Sequence, residues 1–308
     1  MQYANETMRV LLERGSCRVF EDRNVDDALL GQVLEAGVQA ASGGNIQPWS
    51  AIVIRNQETK DKLTDLNGGQ KFISRAPVNI LFCIDMHRME RWAELMVAPY
   101  TATSSFRHFW ISFQDTVIAA QNICTAADAL GLGSVYVGTV LECFRELREM
   151  FGLPQGVFPV VLLSMGWPVK PPAPRSKLPK SMLVHREKYR APGDEELLEA
   201  MDKKYDTTFP AKAESLARLK KTCLGAHGPK FADKCLAKVE EQGYISMVQR
   251  YFGLHYTADT MPQGNEEYLK ILAECGFSWF QEFHPKEKEI AEISGSCTRA
   301  ATTCYCMD

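Results

Sequence analysis

The hydrophobic pattern of the chain changes period several times, and each change marks an element. Over residues 26–41, Leu30, Val33, Leu34, Gly37, Val38 and Ala41 recur at helical spacing behind Asp26, a side chain suited to cap the first turn. Gly43, Gly44 and Pro48 end that helix. Residues 50–54 read as a strand, 57–66 as a short helix, and Asn67-Gly68-Gly69 as a loop. Residues 78–84 (VNILFCI) form a continuous apolar run, the pattern of a strand covered on both faces. A long helix is predicted over 111–132, with Phe113, Val117, Ala120, Cys124 and Ala127 on its buried face and Gly131 at its end. Further elements are predicted at 134–137 (strand), 141–151 (helix) and 158–165 (a second continuous apolar strand). The alternation does not repeat a βαβ unit, so the expected fold is α+β, a mixed central sheet wrapped by helices.

After the last strand comes PVKPPAPRSKLP, which has no regular pattern. Beyond it the composition shifts to Lys and Glu, with amphipathic helical spacing at 195–204, 212–221, 230–242 and 265–275. The expected organisation is a main domain over residues 1–192 and a helical C-terminal extension over 193–308.

A chain of 308 residues can bury a large core without covalent staples. A net charge of −3 argues against a broad nucleic-acid footprint. Gln114, Asp115, Gln121, Asn122 and Asp128 exclude the long helix as a simple membrane span. The first residues lack the basic start and apolar run of a secretory signal, and the ten cysteines then read as reduced thiols. The expected location is cytoplasmic, with neither membrane nor nucleic acid as partner.

Candidate chemistry gathers in short polar motifs. Arg14-Gly15-Ser16-Cys17-Arg18 places two guanidinium groups and a hydroxyl within five residues, and the planar donor fork of arginine suits phosphate oxygens. Ser42-Gly43-Gly44-Asn45-Ile46-Gln47 combines glycines, which admit close backbone approach, with amide side chains. Gln70 and Lys71 follow a glycine turn just before the first buried strand, and Gly138 and Thr139 follow a short one. Arg175 and Lys177 lie in the proline-stiffened segment. Each motif taken alone reads equally as a solvated loop or a helix stop. Gly131-Leu132-Gly133 follows a helix instead of opening one, so it is no dinucleotide fingerprint.

Taken in order, RGSCRVF, ASGGNIQPWS, GGQKFISRAPVNILFCID, ALGLGSVYVG, FGLPQGVFPVVLLSMGWP and PRSKLPKSMLVH resemble the nitroreductase superfamily over residues 8–190, and specifically its NADPH-preferring oxygen-insensitive nitroreductases and flavin reductases. The resemblance implies a nitroreductase-like fold that builds an FMN site across a homodimer interface near the long helix. It implies that Arg14, Ser16, Arg175 and Lys177 hold the phosphate and ribityl chain, and that Arg18 lies near the pyrimidine edge or ribityl oxygens. Ser42, Gly43 and Gln47 would lie beside the ring, Gln70 at the pyrimidine, and Gly138 and Thr139 near N5 and O4. The implied activity is ping-pong hydride transfer from NAD(P)H through flavin N5 to a nitroaromatic, quinone or flavin acceptor, with no catalytic side chain and no metal.

Two other readings stay open at this point. The fold could serve as a flavin-binding or sensing module without turnover. Alternatively, Cys297, Cys304 and Cys306 could hold a metal in an electron-transfer subunit, although their spacing fits neither a zinc knuckle nor a ferredoxin run.

Overall fold

The computed structural model describes residues 2–205 and 207–285. Helices α1 (Glu6–Glu13) and α2 (Asp27–Val38) precede strand β1 (Trp49–Ile54). Helices α3 (Gln57–Leu66) and α4 (Phe72–Arg75) lead to β2 (Val78–Asp85), and α5 (His87–Leu95) and α6 (Phe106–Ala129) to β3 (Gly133–Val137). Helix α7 (Phe144–Phe151) precedes β4 (Val157–Gly166). Among the described residues the α-helices that follow are α8 (Lys180–Leu183), α9 (Asp194–Lys204), α10 (Ala213–His227), α11 (Pro229–Gln242), α12 (Met247–Arg250) and α13 (Asn265–Glu274). The chain divides into two compact units. The sheet unit comprises Arg18–Trp167 with residues from Leu272 onward; the helical unit comprises residues up to Cys17 with Pro168–Ile271.

In the sheet unit the strands lie in the order β1-β2-β4-β3, and every pair is antiparallel. The mixed sheet expected from sequence is corrected here. Strands β2 and β3 do run in the same direction, joined by a helical crossover, but β4 lies between them and pairs antiparallel to both. The two central strands are the two continuous apolar runs, because a central strand between helical layers is dry on both faces. On one face Val78, Ile80 and Phe82 meet Val33 of α2 and Ala120, Ile123 and Ala127 of α6. On the other, Leu81, Cys83 and Leu162 meet Leu63 of α3, Ile73 of α4 and Leu147 of α7. Each large side chain buried in this way contributes roughly 1.5–3 kcal/mol.

Helix α6 starts earlier than its apolar pattern does, because the Ser105 side chain accepts from the His108 backbone N–H. Its buried stripe is Ser112, Asp115, Thr116, Ala119, Ala120, Ile123, Cys124 and Ala127. Small residues in that stripe let the helix approach its neighbours; a Cβ on Gly37 of α2 would stand 2.6 Å from the Ile123 side chain. Phe113, placed on the buried face by periodicity, is instead 38% exposed. The helix is apolar on two sides, and the larger side chains (Phe106, Trp110, Phe113 and Ile118) occupy the side away from the sheet.

The segment that follows α13, around Cys275 and Phe277, is strapped to this core. Phe277 is fully buried against Phe109 and Phe158, and Gly156 N–H donates to the Cys275 carbonyl at 2.7 Å. The helical unit has its own core. Helices α10 and α11 form a hairpin at Gly228 (φ +79°) around Leu219, Cys223, Ala232, Val239 and Ile245. Among the described residues no helix is long and apolar enough to cross a membrane.

Candidate functional site

The helical unit supplies a cationic cradle. Helix α1 ends at Arg14, and the next residue, Gly15, is buried against the proline segment. A Cβ on Gly15 would stand 2.5 Å from the Ala173 carbonyl oxygen and 2.9 Å from the Pro172 carbonyl carbon. Only glycine permits that approach. It sets Arg14 and Ser16 beside the strand of chain that leads into Arg175 and Lys177. Arg14 is half-buried, whereas Ser16, Arg175 and Lys177 are exposed. The Ser176 hydroxyl donates to the Lys203 carbonyl at 3.3 Å, which pins the segment to α9. Residues 168–186 contain no acidic side chain. This cationic donor set fits a phosphate monoester.

The sheet unit supplies two polar loops. The first is residues 42–47, folded onto α6 by Asp115. The Asp115 carboxylate is buried; it accepts from the Ser42 hydroxyl at 2.7 Å and from the Gly43 N–H at 3.1 Å. Ser42 Oγ in turn accepts from Gln47 N–H at 2.8 Å, and Gln47 Nε2 donates back to the Val38 carbonyl at 2.8 Å. Asn45 (φ +54°) and Gln47 (φ +53°) hold left-handed backbone that glycine would favour, and these anchors keep them there. A Cβ on Gly43 would stand 2.8 Å from the Ile111 side chain, so the loop lies flush on the helix.

The second loop joins Gln70 to Thr139. Gln70 Nε2 donates to the Asn67 carbonyl and to Thr139 Oγ1, both at 2.9 Å. Thr139 Oγ1 donates to Asn67 Oδ1 at 2.8 Å, and buried Asn67 donates to the Leu63 carbonyl at 2.8 Å. Both Gln70 N–H groups are thereby engaged, which leaves its carbonyl oxygen as the acceptor it presents. Gly138, next to Thr139, is exposed. The Arg18 guanidinium carbon lies 5.9 Å from the Phe72 ring centroid, beside the same loop.

Sequence reasoning singled out Ser42, Gly43, Gln47, Gln70 and Thr139 but missed Asp115 and Asn67, which hold them. The available signal was a lone carboxylate inside a helical stripe of small residues, because buried charge at such a place requires partners. Sequence also gave no hint of the apolar pocket beside the 42–47 loop. It measures about 430 Å³ and is lined by Gly43, Ile46, Met86, Trp92, Met96 and Ile111 among others. Tyr100, also on its wall, donates to the Met86 carbonyl at 3.0 Å, and burial pushes its phenol above the usual value.

In the helical unit Tyr251, Phe252, His255 and Tyr256 form one ring cluster on a π-helical turn, with Phe252 55% exposed. Among the described residues no group of three or more His, Cys, Asp or Glu side chains could hold a metal. Cys297, Cys304 and Cys306 lie outside the described residues.

Comparison with known proteins gives a consistent result. The sequence model of the nitroreductase family matches residues 11–167. The chain is 32% identical over 212 residues to an oxygen-insensitive NADPH nitroreductase of Salmonella typhimurium, covering 69% of this chain and 86% of the relative. It is 34% identical over 186 residues to an FMN reductase [NAD(P)H] of Bacillus subtilis, covering 60% of this chain and 75% of that protein. Among solved structures, NfrA2 of B. megaterium superposes with a TM-score of 0.67 at 28% identity, over 89% of this chain and 99% of that one.

Proposed function

That the chain belongs to the nitroreductase family is the premise from which we propose an FMN-dependent NAD(P)H oxidoreductase that reduces small acceptors by a ping-pong cycle. The observation that carries this reading is the backbone contact of Gly15 with Pro172 and Ala173, which draws Arg14 and Ser16 to the segment bearing Arg175 and Lys177. The names of the relatives, a nitroreductase and an FMN reductase, support it.

In this reading Arg14, Arg175 and Lys177 neutralise a phosphate dianion, and Ser16 adds a directional hydrogen bond. Gln70 offers its free carbonyl oxygen to the N–H of the pyrimidine. Gly138 and Thr139 supply backbone at the edge near N5 and O4. Arg18 and Lys71 place positive charge near the pyrimidine edge, where the reduced cofactor is anionic, and so favour reduction. Ser42, Gly43 and Gln47, fixed by Asp115, form a rigid wall beside the ring. A flavin held by these residues would supply two-electron hydride chemistry between a nicotinamide and a small acceptor such as a nitroaromatic, a quinone or a flavin. The apolar pocket beside that wall suits a flat, weakly polar acceptor.

The outward face of α6, with Phe106 52% and Trp110 51% exposed, is proposed as the seat of a second copy of the chain. The direct experiment is purification, an absorption spectrum, and NADPH and NADH oxidation with a nitroaromatic. A flavin spectrum and acceptor-dependent turnover support the reading. A protein that neither carries nor takes up FMN refutes it.

A further inference from the structure

We propose that a groove in the sheet unit, lined by Arg23, Arg55, Lys60, Ser74 and Arg75, binds a phosphate-bearing small molecule. None of these residues belongs to the candidate flavin contacts, so the proposal stands apart from the activity above. The groove measures about 660 Å³ and lies where the 20–24 segment, the start of α3 and the end of α4 meet. That volume admits a ligand of mononucleotide size.

Lys60 is the central observation. It is 6% exposed, and its ammonium donates to the Ala76 carbonyl at 2.9 Å. Among the described residues it makes no ion pair. Burial pulls its pKa below the ordinary lysine value, and the charge of Asp61 opposes that shift. An ammonium has three donors, and here one of them has a neutral acceptor. A buried cation so placed is costly unless an anion compensates it.

The rim is built in advance. Glu21 N–H donates to the Trp167 carbonyl at 2.8 Å, and Trp167 Nε1 donates to the Asn24 carbonyl at 3.1 Å, so the 20–24 segment is fixed to the end of β4. The Arg23 guanidinium carbon lies 3.9 Å from the Trp167 ring centroid, a stacked pose that orders it before any ligand arrives. Arg55 is braced by the Val25 carbonyl at 2.7 Å and by Asp27 at 3.1 Å. Arg23 and Arg75 make no ion pair among the described residues. Glu21 and Asp22 also line the groove, where they are outnumbered by Arg23, Arg55, Lys60 and Arg75.

The test is calorimetric titration of the FMN-saturated protein with inorganic pyrophosphate, so that cations committed to flavin phosphate are already occupied. The proposal expects saturable binding below about 1 mM. It expects the double variant Arg23→Ala, Arg75→Ala to bind about tenfold more weakly or worse. Lys60→Met should lose binding as well. Because Lys60→Met can fail to fold, the double variant of exposed residues carries the decision. Absence of saturable binding in the wild type overturns the proposal. So does binding that is unchanged in the double variant, which would place the anion elsewhere.

Discussion

A side chain on Gly15 would put its Cβ 2.5 Å from the carbonyl oxygen of Ala173, two backbones that meet from opposite ends of the main sequence motifs. Neither partner can yield easily, because the obstructing atoms are backbone and the segment beyond Ala173 is stiffened by proline. Gly15→Ala is therefore expected to push the two segments apart. Overpacking of this kind costs about 1–3 kcal/mol. FMN affinity, read by fluorescence quenching, should fall by roughly tenfold or more for a loss of 1.4 kcal/mol. An alanine variant that binds FMN with unchanged affinity would show that the contact does not position the phosphate ligands.

Asp115 holds a hydroxyl and a backbone N–H on a loop whose conformation two non-glycine residues adopt under strain. Asp115→Ala leaves the Ser42 hydroxyl and Gly43 N–H without their acceptor. The expected loss is about 2–4 kcal/mol of stability, from the unsatisfied donors and the charge-assisted bonds removed. Thermal denaturation measures it. Loop disorder should raise KM for the acceptor, and an intact melting temperature would contradict the anchoring role.

Thr139 relays Gln70 to Asn67 through a single hydroxyl that both accepts and donates. Thr139→Val keeps the shape and removes both bonds, and it leaves Asn67 Oδ1 buried without its donor. A destabilisation of about 1–2 kcal/mol is expected. Thr139→Ser should restore both stability and flavin affinity. Equal behaviour of the valine and serine variants would mean that the hydroxyl relay is irrelevant.

Cys83 lies in the dry centre of β2, and burial, reinforced by Asp85, pushes its thiol up to about 12. The unfolded chain releases this proton near the ordinary value of about 8.5. The native state therefore binds more protons between those values, and stability must fall with rising pH. The contribution is fully present below about 8.5 and is lost as pH rises toward 12. The slope is at most about 1.4 kcal/mol per pH unit for one thiol. Urea midpoints at pH 8 and pH 10 should separate more in the wild type than in Cys83→Ala. Equal separation would mean that the thiol titrates alike in both states.

Much of the sheet unit was legible in the sequence because its signals are local. The apolar runs around Ile80 and Leu162 became the central strands; the Asp26 side chain caps the start of α2, and Gly152 ends α7 in left-handed backbone. What was not legible depended on tertiary choice. Strand β4 takes the place between β2 and β3, which no local pattern encodes, and this made the sheet antiparallel instead of mixed. Helix α5 was missed although its sequence is amphipathic; it is short, and none of its residues is fully buried. The face of α6 was misjudged at Phe113 because aromatic residues look like core wherever they occur. At the site, motif residues were visible as glycines, amides and arginines, whereas Asp115 and Asn67 matter through partners distant in the chain.

The central claim is that Arg14 and Arg175 act on one phosphate. It is tested most directly by titrating the apoprotein with FMN and with riboflavin, in the wild type, Arg14→Ala, Arg175→Ala and the double variant. The account predicts that the wild type binds FMN far more tightly than riboflavin, that each substitution erodes this preference, and that the double variant binds the two ligands alike with riboflavin affinity unchanged. Equal wild-type affinity for FMN and riboflavin, or an FMN preference that survives in the double variant, would contradict it.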